Sequence, residues 1–194
     1  MITTPLPQPE RKTIPLDDGD VALLCWPNRD APRLILAHAN GFCASAYKQM
    51  LVRLAGQFDI VAPDLRGHGR TTLPANPETH HSWDIYARDL IDLNAALDRP
   101  ADLAVGHSMG GTSWTLAAAQ MDTPPALALI DPAMLPGMGY SLMRTPVRPL
   151  LVRNIPIAKL ARRRTRHWTS RDETFQRYQM KSPFNSWAPG VIED

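Results

Sequence analysis

Cysteine is scarce: only Cys25 and Cys43 occur in 194 residues. Two are too few for a disulfide scaffold and suit a reducing compartment, so the expected location is the cytoplasm. No run approaches the ~20 apolar residues that cross a membrane. Residues 1–9 are proline-rich and lack the basic-then-apolar pattern of a signal peptide. Histidine and cysteine never cluster at metal-ligand spacing, and neither a P-loop nor a Gly-x-Gly-x-x-Gly turn follows a strand. Metal and nucleotide cofactors are therefore not expected. Net charge is only +2 and no nucleic-acid motif accompanies it, so neither nucleic acid nor a membrane is an expected partner.

What is present is the composition of an ordinary globular protein, with 44% hydrophobic and 21% charged residues. The length suits one sizeable core. The small net charge conceals an asymmetry: residues 1–139 hold 10 Lys and Arg against 15 Asp and Glu, whereas residues 140–194 hold 11 against 4. Such a shift marks a change of structural role near Gly139.

In chain order, segments 11–16 and 21–26 flank Asp17-Asp18-Gly19-Asp20, which predicts an antiparallel hairpin. Nearly all-apolar runs at 33–37, 58–62, 101–105 and 126–130 have the character of strands buried on both faces. Helical spacing appears at 46–54, at 83–97 behind a Ser82 cap, and at 112–119. Alternating strands and helices predict an α/β fold with a mostly parallel sheet flanked by helices. Ligands bind such sheets beyond the carboxyl ends of the strands, where the loops 38–42, 64–71, 106–111 and 131–137 should converge. Beyond Gly139, Arg-rich and Pro-punctuated segments at 142–152, 155–166 and 173–180 suggest short helices. Residues 11–139 are thus expected to form the core, and 140–194 a helical cap or lid.

One stretch carries chemistry: Gly106-His107-Ser108-Met109-Gly110-Gly111, placed between a strand and a helix. A serine forced into so sharp a turn needs neighbours without side chains, and the turn lifts its hydroxyl to the positive end of the helix. This is the context of a nucleophile elbow, with Ser108 the candidate catalytic residue.

The succession of His38-Ala39-Asn40-Gly41-Phe42, residues 64–71 (Asp-Leu-Arg-Gly-His-Gly-Arg-Thr), the elbow and Leu129-Ile130-Asp131-Pro132 resembles the alpha/beta-hydrolase family, closest to serine-nucleophile members with a helical cap after the sixth strand. The resemblance covers residues 11–139 by motif, and 140–194 by position and helical character. It implies that Ser108 attacks the carbonyl carbon of a small ester, thioester or activated C–C substrate, forming an acyl-enzyme that water resolves. The Met109 N–H is then one oxyanion-hole donor and Asn40, by position, the other, with Phe42 as the alternative. His38 orders its loop. Serine at the elbow argues against the haloalkane dehalogenase and epoxide hydrolase chemistry of related members.

The family pattern continues past the cap with two further strands that bring the catalytic acid and histidine; no strand pattern follows residue 131 here. His107 should project away from Ser108, while His68, His80, His81 and His167 read as loop or surface residues. Asp131 is read as a strand-end cap for the Pro132 turn. The chain is accordingly expected to be incomplete, with the sixth strand an exposed sheet edge prone to self-association. The alternative is a non-catalytic remnant of the fold that binds a small molecule or protein through the pocket and the basic segment.

Overall fold

The computed structural model describes residues 7–76, 82–134, 165, 168–182 and 184–193. They fall into two compact units, Met1–Ala133 and Met134–Glu193.

The first unit is built on a six-stranded sheet: β1 (Glu10–Leu16), β2 (Gly19–Trp26), β3 (Arg33–Ala37), β4 (Asp59–Pro63), β5 (Leu103–His107) and β6 (Ala126–Ile130). Spatial order is β1-β2-β4-β3-β5-β6. The β1–β2 and β2–β4 pairs are antiparallel, and β3–β4, β3–β5 and β5–β6 are parallel. The sheet is mixed, with the parallel part beginning at β4. Asp17 and Asp18 form the tight turn of the hairpin, with Leu16 opposite Gly19.

The apolar strands are buried because both faces are covered. Ile35 and Ala37 of β3 join Val61, Leu90, Leu93 and Trp114 on one side of the sheet; Leu34 and Leu36 join Leu51, Ile60 and Val105 on the other. This places α2 (Asp84–Ala96) and α3 (Met109–Ala118) against the first face. β6 has the same composition and a different fate. Among the described residues it pairs only with β5, and Leu127, Leu129 and Ile130 are 38%, 38% and 41% exposed.

Three boundaries depart from the sequence reading. The helix expected at 46–54 is a 3-10 turn, Ala44–Tyr47, followed by one α-turn, α1 (Lys48–Leu51). Its entry is fixed by long-range bonds: Ala44 N–H donates to Asp64 Oδ1 at 2.8 Å and the Tyr47 hydroxyl accepts from Ala39 N–H at 3.0 Å. Ser82 is not the N-cap of α2, which is Trp83; the serine sits one residue earlier, where its Oγ accepts from Asp84 N–H. α3 starts at Met109, directly after Ser108, rather than at 112.

In the second unit α4 (Arg171–Gln179) is capped by Ser170, whose Oγ accepts from Glu173 N–H at 3.1 Å. Trp168, Tyr178, Phe184 and Trp187 form a chain of ring contacts with centroids 5.9, 4.7 and 4.8 Å apart. The helical segments expected at 142–152 and, apart from Thr165, at 155–166 lie outside the described residues.

Candidate active site

β5 runs into α3 with one residue between them, and that residue is Ser108. Its backbone stands at φ 50 and ψ −115, outside the regions open to an ordinary side chain. Such a conformation costs on the order of 1–3 kcal/mol and persists only where its surroundings enforce it. Here Ser108 N–H donates to Ile130 O at 2.9 Å, while its carbonyl accepts from Thr112 N–H at 3.1 Å and Ala133 N–H at 3.4 Å. The end of β6 thus holds the elbow from outside.

Close approach explains the flanking glycines. A Cβ on Gly106 would lie 2.5 Å from the Gly111 backbone, and one on Gly110 would lie 2.2 Å from Ala37 O and 2.8 Å from His38 O. The start of α3 therefore rests directly on the end of β3. This contact brings Met109 beside the loop that carries Asn40. As the first residue of α3, Met109 has an N–H with no partner within the helix, at its positive end.

Loop 38–42 turns through Gly41 at φ 78, and Phe42 N–H closes the turn on Ala39 O at 3.1 Å. Of the two residues proposed from sequence as second donor, Phe42 thus has its N–H engaged inside the turn. The N–H of Asn40, at the second position of that turn, is not used to close it.

His38 is fully buried, its Nδ1 2.9 Å from Ala39 O and its Nε2 accepting from Leu65 N–H at 2.9 Å. Burial, reinforced by the neighbouring His68, pushes it down to about 3, against the opposing pull of the Ala39 carbonyl. It is neutral at any ordinary pH. His68 answers it from the loop after β4, with the two rings edge to face at 5.0 Å. His107 meets the Tyr47 hydroxyl at 2.7 Å. That hydroxyl, pushed up to about 12 by burial, stays protonated.

Tyr47 and Asp64 are site residues that sequence reasoning missed. Tyr47 links the elbow to loop 38–42 through His107 and Ala39. Asp64 accepts from Ala44 N–H on one oxygen and Arg70 N–H on the other, tying the loops after β3 and β4 together. The sequence signals for Asp64 were its place at a strand's carboxyl end and at the head of the 64–71 motif, neither of which points to its two backbone partners.

Asp131 is exposed, with φ 43, and makes no side-chain hydrogen bond among the described residues, so the capping role expected for it is not what its side chain does. No hydrogen bond to the Ser108 hydroxyl occurs among the described residues either. His80, His81 and His167 lie outside them. Ser108, Met109, Asn40 and the loop containing His68 are brought to the same end of the sheet, at the carboxyl ends of β3, β4 and β5.

Comparison with known proteins agrees with this fold. A model of the alpha/beta hydrolase family matches residues 34–191. The chain is 35% identical over 101 residues to a non-heme chloroperoxidase of Streptomyces lividans, spanning 51% of this chain and 36% of that protein. It is 31% identical over 117 residues to the 2-(acetamidomethylene)succinate hydrolase of Mesorhizobium japonicum, spanning 60% and 41%. With a bifunctional esterase/perhydrolase of Acinetobacter calcoaceticus it shares 33% over 124 residues, spanning 63% and 44%. The chain thus spans less than half the length of these relatives. Among solved structures, the thioesterase domain of the curacin biosynthetic pathway superposes over 96% of this chain and 66% of that one, with a TM-score of 0.70 at 21% identity, a likeness of fold.

Proposed function

Because the chain belongs to the alpha/beta hydrolase family, we propose that Ser108 is the nucleophile of a serine hydrolase acting on an ester, thioester or activated C–C bond of a small molecule. The Ser108 hydroxyl oxygen attacks the carbonyl carbon, the leaving group departs with a proton, and water later cleaves the acyl-serine bond. The N–H groups of Met109 and Asn40 receive the negative charge that develops on the carbonyl oxygen. Residues 140–194 are read as a helical cap, a role supported by their place after β6 and by α4. The observation that carries the reading is the backbone of Ser108, held at φ 50 between a strand and the start of a helix. No described residue hydrogen-bonds the Ser108 hydroxyl, so proton removal is assigned to a group outside the described residues.

A fluorophosphonate probe tests this assignment. An adduct should form on the peptide containing Ser108. Ser108→Ala should abolish it. Absence of labelling in a folded chain, with retained small-molecule binding, would instead favour a non-catalytic binding module.

A further inference from the structure

The proposed oxyanion donor Asn40 lies between two peptide planes, and each is gripped by a histidine. The 39–40 plane carries both the Ala39 carbonyl and the Asn40 N–H, pointing opposite ways. Its carbonyl receives His38 Nδ1 at 2.9 Å and Phe42 N–H at 3.1 Å. The 40–41 plane carries the Gly41 N–H, which donates to His68 Nε2 at 2.9 Å. On its other side His68 Nδ1 lies 2.9 Å from Arg66 O.

The proton positions follow from these contacts. A ring nitrogen that accepts a backbone N–H carries no proton, so Nε2 is bare in both rings, since His38 Nε2 accepts from Leu65 N–H. The single proton of each neutral ring is then on Nδ1, where a carbonyl awaits it. The pattern is reciprocal: His38, from the loop after β3, accepts from the loop after β4, and His68, from the loop after β4, accepts from the loop after β3.

We propose that His68 is a positioning residue which, paired reciprocally with His38, holds the main chain on both sides of Asn40 in the orientation needed to donate to an oxyanion. The role rests on the reading of Asn40 as a donor. It has a physical necessity behind it. A turn with glycine at its third position can exchange conformations by flipping the central peptide, and here that is the 40–41 plane. Gly41, at φ 78, puts up no steric resistance to the flip. Acceptance of its N–H by His68 opposes it. Few side chains can replace His68: a lysine has only donors and a carboxylate only acceptors, whereas the site asks for an acceptor at Nε2 and a donor at Nδ1. The same Nε2 lies 3.2 Å from Asn40 Oδ1, and a bare nitrogen there favours the amide turned with its NH2 inward.

The test compares His68→Ala with His68→Gln, whose carbonyl oxygen reaches the place of Nε2 and restores the acceptor. Gly41 amide exchange and fluorophosphonate labelling of Ser108 are measured on both. His68→Ala should speed Gly41 exchange by up to about tenfold and slow the bond-forming step of labelling, not probe binding, by a similar factor. His68→Gln should recover most of both losses. In the wild type at mildly alkaline pH, nitrogen NMR should find His68 protonated at Nδ1. A ring protonated at Nε2, an unchanged Gly41 exchange in His68→Ala, or a glutamine variant no better than alanine overturns the proposal. If wild-type Ser108 does not label at all, the hydrolase reading fails, and the exchange and tautomer measurements decide the clasp by themselves.

Discussion

His38 shows what burial does to one ionisable residue. Folding removes its ring from water and engages both nitrogens, so the native state resists a proton that the unfolded chain accepts near pH 6.5. The sign follows: stability is complete above about pH 6.5 and falls as the pH drops toward the depressed native value, because only the unfolded state binds the proton. Urea midpoints of the wild type should therefore decline between about pH 7 and 5. A His38→Gln variant should start lower and show a flatter profile over that range; parallel profiles would contradict the assignment. His38 was readable in the sequence as a loop-ordering residue because it precedes the expected donor position. Its partner Leu65 was not, since a ring reaching another loop's main chain leaves no local pattern. Tyr47 was obscured differently: its spacing with Met50, Leu51 and Leu54 imitated a helix face, while its hydroxyl serves the elbow.

At the scale of elements, the strands were legible and their ends less so. Apolar runs marked β3 and β4 to within a residue, but the run at 101–105 proved to be Leu103–His107, because Gly106 and His107 extend the strand to the elbow. Pairing order was not legible at all, for β3 lies between β4 and β5 by contacts distant in sequence. At the opposite end of the sheet from Ser108, Arg33 gathers β3, β4 and the segment before β5. Its guanidinium meets Asp59 Oδ2 at 2.5 Å and Asp98 Oδ1 at 2.7 Å, and Arg99 adds 2.7 Å to Asp59. Burial raises the Asp59 pKa, but hydrogen bonds from Arg99, Asn28 N–H and Arg33 outweigh it and hold the carboxyl below its usual range. A depressed carboxylate stabilises above its unfolded value of about 3.9 and loses that contribution as pH falls below it. Asp59→Asn should cost about 2 kcal/mol at neutral pH, since it leaves the buried Arg33 with Asp98 as its charged partner, and should soften the acid transition below pH ~4. Equal denaturant midpoints for variant and wild type would show that the network is structurally idle.

For the whole molecule, the consequential feature is β6. Among the described residues its outer edge pairs with no strand and runs beside Leu127, Leu129 and Ile130, the arrangement most prone to pairing with another chain. We expect concentration-dependent association in light scattering at micromolar protein, reduced in Leu129→Lys, which places a charge on the edge. A monomer at all concentrations would count against it. Among the described residues β6 lies at the sheet's edge, in keeping with the lack of a strand pattern after residue 131. A nucleophile elbow declares itself by spacing, whereas the base that serves it is recognised only by its geometry.

Every role proposed for the site depends on Ser108. The most direct measurement is to mix the chain with an activated ester such as a p-nitrophenyl acylate, quench with acid and map the adduct by mass spectrometry. A single acyl group on the peptide containing Ser108, absent from Ser108→Ala, is the predicted result. An adduct on another residue, or one that persists undiminished in Ser108→Ala, would contradict the role of this serine as the nucleophile.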